Sequence, residues 1–314
     1  MTTPAFVMLV ASFFATAFTV AARAAESLSV AGATFNIDVD TALQESNQEL
    51  REWVARSAGI VSAYYGRFPA SEVDVRMKGS AGRGVQGGET TNWSGAAISL
   101  RVGSSATRRE LTSDWVLVHE MVHLALPEVG RRHAWLSEGL ATYVEGIARA
   151  QAGNRPVEDV WAEFTRSMPL GLPQPGEGGL DQTHTWGRTY WGGALFCLLA
   201  DVSIRERTHN KQSLRDALAA ILQATGGYAG PSAHNKVDIK EVFAIGDKAT
   251  HTTVLTDLYA ALKESPQPTD LPALWTRLGV RGEGARASFD ESAPLAALRA
   301  SITAPVSRVS PAVP

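Results

Sequence analysis

His119-Glu120-Met121-Val122-His123 sets two imidazoles four residues apart, with a carboxylate beside the first. On a helix, residues four apart lie one turn above another on a shared face. Both rings can then reach one ion while Glu120 projects beside them toward a bound water. A catalytic zinc needs a third protein ligand and an open fourth position. Glu138 supplies the ligand, with fourteen residues between it and His123, in the first turn of the next helical pattern. Two histidines, one glutamate and an open position make a hydrolytic site, whereas a structural zinc takes four protein ligands. In such a site zinc lowers the pKa of its water to about 7, and Glu120 is placed to act as general base. The flanking Val116, Leu117, Val118, Val122 and Leu124 are apolar, so the helix should be buried on most sides, and its ionisable groups need partners there.

The elements that must hold these residues are legible from periodicity and capping. Ser27 to Val39 alternates as a strand, and Asp40 caps a helical pattern from Thr41 to about Tyr65. Glu72 to Met77 and Ala96 to Val102 read as strands on either side of the glycine-rich stretch Gly79 to Gly88. Thr107 with Glu110 forms a capping box, which predicts one helix running to Leu126, where Pro127 stops it. Further helices fit Trp135 to Ala150, Val157 to Ser167, Thr185 to Thr208, a Ser213-capped segment to about Ala224, and Thr252 to Glu264. Gly192-Gly193 inside a helix costs about 1 kcal/mol per glycine, which close approach of another helix would explain. The expectation is an α+β protein: an N-terminal mixed α/β lobe running into a mostly helical lobe, with the chemistry where they meet.

HExxH followed by Trp135-Leu136-Ser137-Glu138-Gly139-Leu140-Ala141-Thr142-Tyr143 resembles the gluzincin metallopeptidases, the clan of thermolysin and aminopeptidase N. A second run, Tyr190-Trp191-Gly192-Gly193-Ala194-Leu195, then Leu198 to Asp201, Ile204-Arg205, Thr208 and Ser213-Leu214, resembles the glycyl aminopeptidase family within that clan. Gly192 stands where that family carries lysine. The resemblance, which covers roughly Gly79 to Ala224, implies a thermolysin-like catalytic fold with a zinc site between its lobes. It implies one zinc ion per chain on His119, His123 and Glu138, Glu120 as base, and Tyr190 as the tyrosine that helps bind the oxyanion. It also implies an edge strand near Gly87-Gly88-Glu89-Thr90-Thr91-Asn92 that binds substrate backbone, with Glu89 as a candidate for holding a substrate amine; a solvated loop carboxylate is the competing reading.

The remaining features bound the function. Of 314 residues 45% are hydrophobic and 19% charged, with a formal net charge of -3. That balance excludes a basic nucleic-acid binder and a disordered acidic chain. Residues 1–24 read as a secretory signal peptide with cleavage near Ala24, a retained anchor being the alternative, so the protein is expected to be exported, periplasmic or secreted. Residues 25–300 then form one peptidase-like domain with lobes of about 25–127 and 128–300, and 301–314 a disordered tail. Cys197, alone among Phe196 and Leu198, reads as a buried packing thiol. His133 reads as a loop residue near the cleft; His184, His209, His234 and His251 read as solvated, as does the Arg131-Arg132 turn. Glu145, seven residues after Glu138 on one helix face, could support the ligands or lie at the surface. The expected activity is zinc-dependent hydrolysis of peptide bonds in a peptide or protein substrate. The alternatives are an inactive exported binding protein that keeps the fold, and a zinc hydrolase of a non-peptide amide.

Overall fold

A computed structural model describes residues 26–306, apart from Ser94, 231–235 and Glu283. The stretch read as a signal peptide, the end of the expected tail (307–314) and His234 lie outside the described residues. No described helix is long and apolar enough to cross a membrane.

The first half of the chain builds a five-stranded sheet. Strands β1 (Glu26–Val30) and β2 (Ala33–Val39) form a hairpin. A short 3-10 turn, Thr41–Ser46, leads into α1 (Asn47–Tyr65), so the helical pattern expected from Thr41 begins as a tighter turn. Then come β3 (Glu72–Ser80), β4 (Val85–Thr91) and β5 (Ala97–Gly103), in the spatial order β1-β2-β3-β5-β4. β3 runs parallel to β2 and β5, and β4 closes the edge antiparallel to β5. Phe35, Ile37, Val73, Val75, Met77, Ile98, Leu100 and Val102 are buried on one face, while Arg76, Lys78 and Arg101 are exposed on the other. This is the alternation of a sheet covered on one side only. Leu50, Trp53, Val54, Ala58 and Val61 of α1 are buried in the same apolar cluster as that inner face.

The capping box opens α2 (Arg108–Ser113) as expected, but the helix does not continue to Leu126. Asp114 turns extended, with φ −63° and ψ 145°, and its carboxylate accepts from Leu117 N at 3.1 Å, so that α3 (Val116–His123) starts afresh. A short polar side chain that can satisfy backbone donors favours such a break.

The helical half comprises α4 (Ala134–Gln151), α5 (Val157–Ser167), a π-helical turn at Arg188–Gly192 that runs into α6 (Gly193–Arg207), and α7 (Leu214–Thr225). It continues through α8 (Ile239–Thr250), α9 (Val254–Leu262), α10 (Leu271–Leu278), a minimal hairpin of β6 (Val280–Arg281) and β7 (Ser288–Phe289), and α11 (Ala296–Thr303). α8, α10 and α11 are additions to the helices read from the sequence. α11 also takes in Ser301 to Thr303, the first residues of the stretch expected as a tail. Gly139 of α4 and Gly193 of α6 meet backbone to backbone, and a Cβ on either would overlap the other helix. This contact meets the close approach read from Gly192-Gly193, with Gly193 as its centre. It draws the start of α6, and the π turn before it, against the N-terminal half of α4.

Candidate metal centre

α3 presents His119 and His123, and the first turns of α4 present Glu138 opposite them. The three offer ligand atoms that all lie within 4.8 Å of one another. Glu138 Oε2 is 3.3 Å from His119 Nε2 and 3.5 Å from His123 Nε2. Zinc bonds of about 2.1 Å in a tetrahedron put neighbouring donors about 3.4 Å apart, so these separations fit one ion bound between the three. The histidine tautomer fits as well. His123 Nδ1 lies 2.9 Å from Ser137 Oγ; with Nδ1 carrying its hydrogen toward that hydroxyl, the Nε2 lone pair is left for a metal. Burial opposes ionisation of Glu138, but the hydrogen bonds and charges of the two histidines outweigh it and hold the carboxyl well below its usual range. For His123, burial acts against the charged ring, and Glu138 overcomes it to raise the pKa. Both shifts belong to the ligand set without an ion, and both follow from negative and positive donors crowded at one point.

Glu120 lies beside this cluster without belonging to it. Its carboxylate is held from β4: Thr90 Oγ1 is 2.7 Å from Glu120 Oε2 and 2.8 Å from the Glu120 carbonyl oxygen, donating to one at a time. Gly88, two residues earlier on the same strand face, must lack a side chain, because a Cβ there would come within 2.7 Å of Glu120 Cγ. Sequence reasoning missed Thr90, Gly88 and Ser137 in these roles. Ser137 was signalled only by its place next to Glu138, and Thr90 by the strand register that was not visible.

Tyr190 enters from the π turn. Its ring lies 6.4 Å from that of His119 at an interplanar angle of 17°, and Trp186 also stacks on it at 5.8 Å and 27°. Burial, then the neighbouring Glu138 and Glu120 carboxylates, push its phenol up to about 12, so at neutral pH it keeps its proton and can donate. His119, Glu120, His123, Ser137, Glu138 and Tyr190 line one cleft of about 570 Å³ together with Val85 to Thr90 of β4, Trp115 and Tyr228.

The other sequence candidates make different contacts. Glu89 lies on the rim strand itself rather than in a loop before it. It pairs opposite Ser99, while Gly88 and Thr90 pair opposite the buried Leu100 and Ile98; its side chain therefore leaves the sheet on the face away from Glu120. His133 forms part of a short 3-10 turn, Arg131–His133, and its Nδ1 bonds the buried Asp181 at 2.8 Å. Glu145 is not a surface residue: it is buried and pairs with Arg149 at 2.6 Å. His184, His209 and His251 are exposed, and Cys197 is buried.

No protein-family model matches the chain, and no curated protein does. Solved structures match it. An aminopeptidase N family protein from Idiomarina loihiensis superposes with a TM-score of 0.59 at 12% identity, covering 81% of this chain and 49% of that one. An M1 zinc metallopeptidase from Deinococcus radiodurans matches with a TM-score of 0.46 at 14% identity, over 78% of this chain and 53% of that one. A form of the Deinococcus enzyme bound to a Tyr-Ser-Ala substrate matches at 0.48 and 15%, over 80% and 53%. The chain thus spans about half the length of these structures, and what it shares with the first, an aminopeptidase N family protein, is the fold.

Proposed function

We propose that the protein is a zinc-dependent metallopeptidase that hydrolyses peptide bonds with Glu120 as general base. The observation that carries this reading is the division of labour in the cleft. Three donors converge within 4.8 Å, with Glu138 standing from each histidine at the edge length of a zinc tetrahedron, and a fourth ionisable side chain, held by Thr90, is left out of that set. A purely structural site has no use for the second feature.

His119, His123 and Glu138 would hold the ion, which when bound supplies Lewis acidity to a water and to the substrate carbonyl. Glu120 takes a proton from the water as its oxygen bonds to the carbonyl carbon, and delivers a proton to the nitrogen as the C–N bond breaks. Thr90 keeps the Glu120 carboxylate turned into the cleft. Tyr190 donates its phenol hydrogen to the carbonyl oxygen, where negative charge grows in the transition state. The outer edge of β4, free of a neighbouring strand among the described residues, can align an extended peptide by backbone hydrogen bonds.

The test is metal analysis coupled to peptide hydrolysis. The purified protein should contain one zinc per chain, lose peptide cleavage on chelation and regain it on adding zinc. Peptide cleavage that survives removal of the metal would refute the reading.

A further inference from the structure

We infer that the cleft takes an internal segment of an extended polypeptide, with residues on both sides of the bond to be cut, and not a free amino terminus. This rests on the metallopeptidase reading and names its substrate class. A free α-ammonium needs an anionic partner inside the cleft. Among the described residues the carboxylates lining the cleft at the metal set are Glu89, Glu120 and Glu138; in the adjoining cavities Glu145, Glu163 and Asp159 of one are paired with Arg149, Arg155 and Arg286, and Glu128 lies in the other. Glu138 belongs to the metal set, and Glu120 must be free to exchange a proton. Glu89 is the one left, and strand parity sends its side chain to the face of Ser99. The β4 position that does reach the base is Thr90, a neutral hydroxyl already engaged with Glu120.

The surroundings of the cleft agree. Two further cavities adjoin it. One, of about 730 Å³, shares Trp115, His119 and Tyr190 with the cleft, and the other, of about 560 Å³, shares Ser137, Glu138 and Tyr228. The groove therefore continues past the ligands in two directions. Val85 to Thr90 line it, and six residues of strand at about 3.4 Å each offer a substrate roughly 20 Å of backbone partners. The large apolar side chains exposed among the described residues are Trp93, Trp115, Leu170 and Trp186. Trp93 lines the second of those cavities, and the other three line the first. Apolar surface left exposed at both ends of a groove marks contact with a ligand that passes through it.

The experiment uses one ten-residue peptide with Leu and Phe at its centre and an amidated C terminus, prepared with a free and with an acetylated amino group. Binding is measured by calorimetry on the zinc-loaded Glu120→Gln protein, and cleavage products of the unsubstituted protein are read by mass spectrometry. The two peptides should bind within about threefold of each other, since no ammonium contact is lost on acetylation. Both should be cut internally. Trp93→Ala, at an exposed position, should weaken binding of the acetylated peptide by about threefold to tenfold. Acetylation that weakens binding by about tenfold or more, release of single N-terminal residues from the free peptide alone, or failure of both peptides to bind would each overturn the inference. Equal binding of both peptides with no hydrolysis would support the segment-binding cleft and refute the peptidase reading instead.

Discussion

Two carboxylates in this protein gather histidine, and they do opposite things with it. Glu138 faces His119 and His123 at 3.3 Å and 3.5 Å, and all three open onto the cleft. Asp181 is closed off, its side chain 1% exposed. Its Oδ1 accepts from His133 Nδ1 and Trp135 Nε1, both at 2.8 Å, and its Oδ2 accepts from the Tyr259 hydroxyl at 2.8 Å, with Arg132 Nε 3.5 Å away. Around Asp181 the neighbours are donors at full hydrogen-bond length, so the buried charge is satisfied by protein alone. Around Glu138 the nearest partners are ring nitrogens spaced for a common ion. A buried acid next to histidine is therefore not by itself a metal site; what separates the two is whether lone pairs converge on one point or hydrogens do.

The sharpest way to break this contrast is to remove a histidine from each cluster. His123→Ala should lower zinc affinity by more than the roughly 10- to 100-fold typical of an orienting group. His133→Ala should leave metal content at one zinc per chain and show its effect in melting temperature. Full zinc occupancy in the first variant, measured by elemental analysis after dialysis, would end the ligand assignment.

The next largest effect belongs to Glu120, the carboxylate that lies beside the metal cluster without joining it. Glu120→Gln keeps shape but cannot accept a proton, and should retain zinc while turnover drops by about 100- to 10,000-fold. Parental activity in a zinc-loaded sample would favour a binding protein that keeps the fold. Tyr190→Phe should follow, lowering kcat by about 100- to 1,000-fold with KM little changed, because the phenol acts on charge that exists only in the transition state. An unmoved kcat would reduce Tyr190 to a packing partner of Trp186.

Smaller effects separate support from structure. Ser137→Ala removes the partner of His123 Nδ1 and should weaken zinc binding by about 10- to 100-fold without changing stability of the metal-free protein appreciably. Asp181→Asn should do the reverse: a loss of about 1–3 kcal/mol in unfolding free energy from imperfectly paired buried donors, with zinc titration unchanged. If Asp181→Asn altered zinc affinity as strongly as Ser137→Ala, the two clusters would have to be treated as one coupled network.

What could be read from the chain alone was whatever depends on local geometry. His119 and His123 share a helix face because of their spacing, whatever the rest of the fold does. The Thr107 and Ser213 caps likewise begin helices through atoms only three residues apart, Thr107 with Glu110 and Ser213 with Asp216. Gly192-Gly193 announced a close contact but not its partner, which is Gly139. The decisions left to tertiary structure all join residues far apart in sequence. The face of β4 on which Glu89 falls is set by pairing with β5, and a shift of one residue would exchange Glu89 with its neighbours. Thr90 finds Glu120 thirty residues on, and His133 finds Asp181 forty-eight residues on. Such pairs form only when sheet and helices have packed, so their carboxylates carry no local mark of whether they will receive a metal, a proton or a ring of hydrogen bonds. For the same reason the sequence by itself determined that His119 and His123 share a helix face, while the folded cleft decided which charged groups stand beside them.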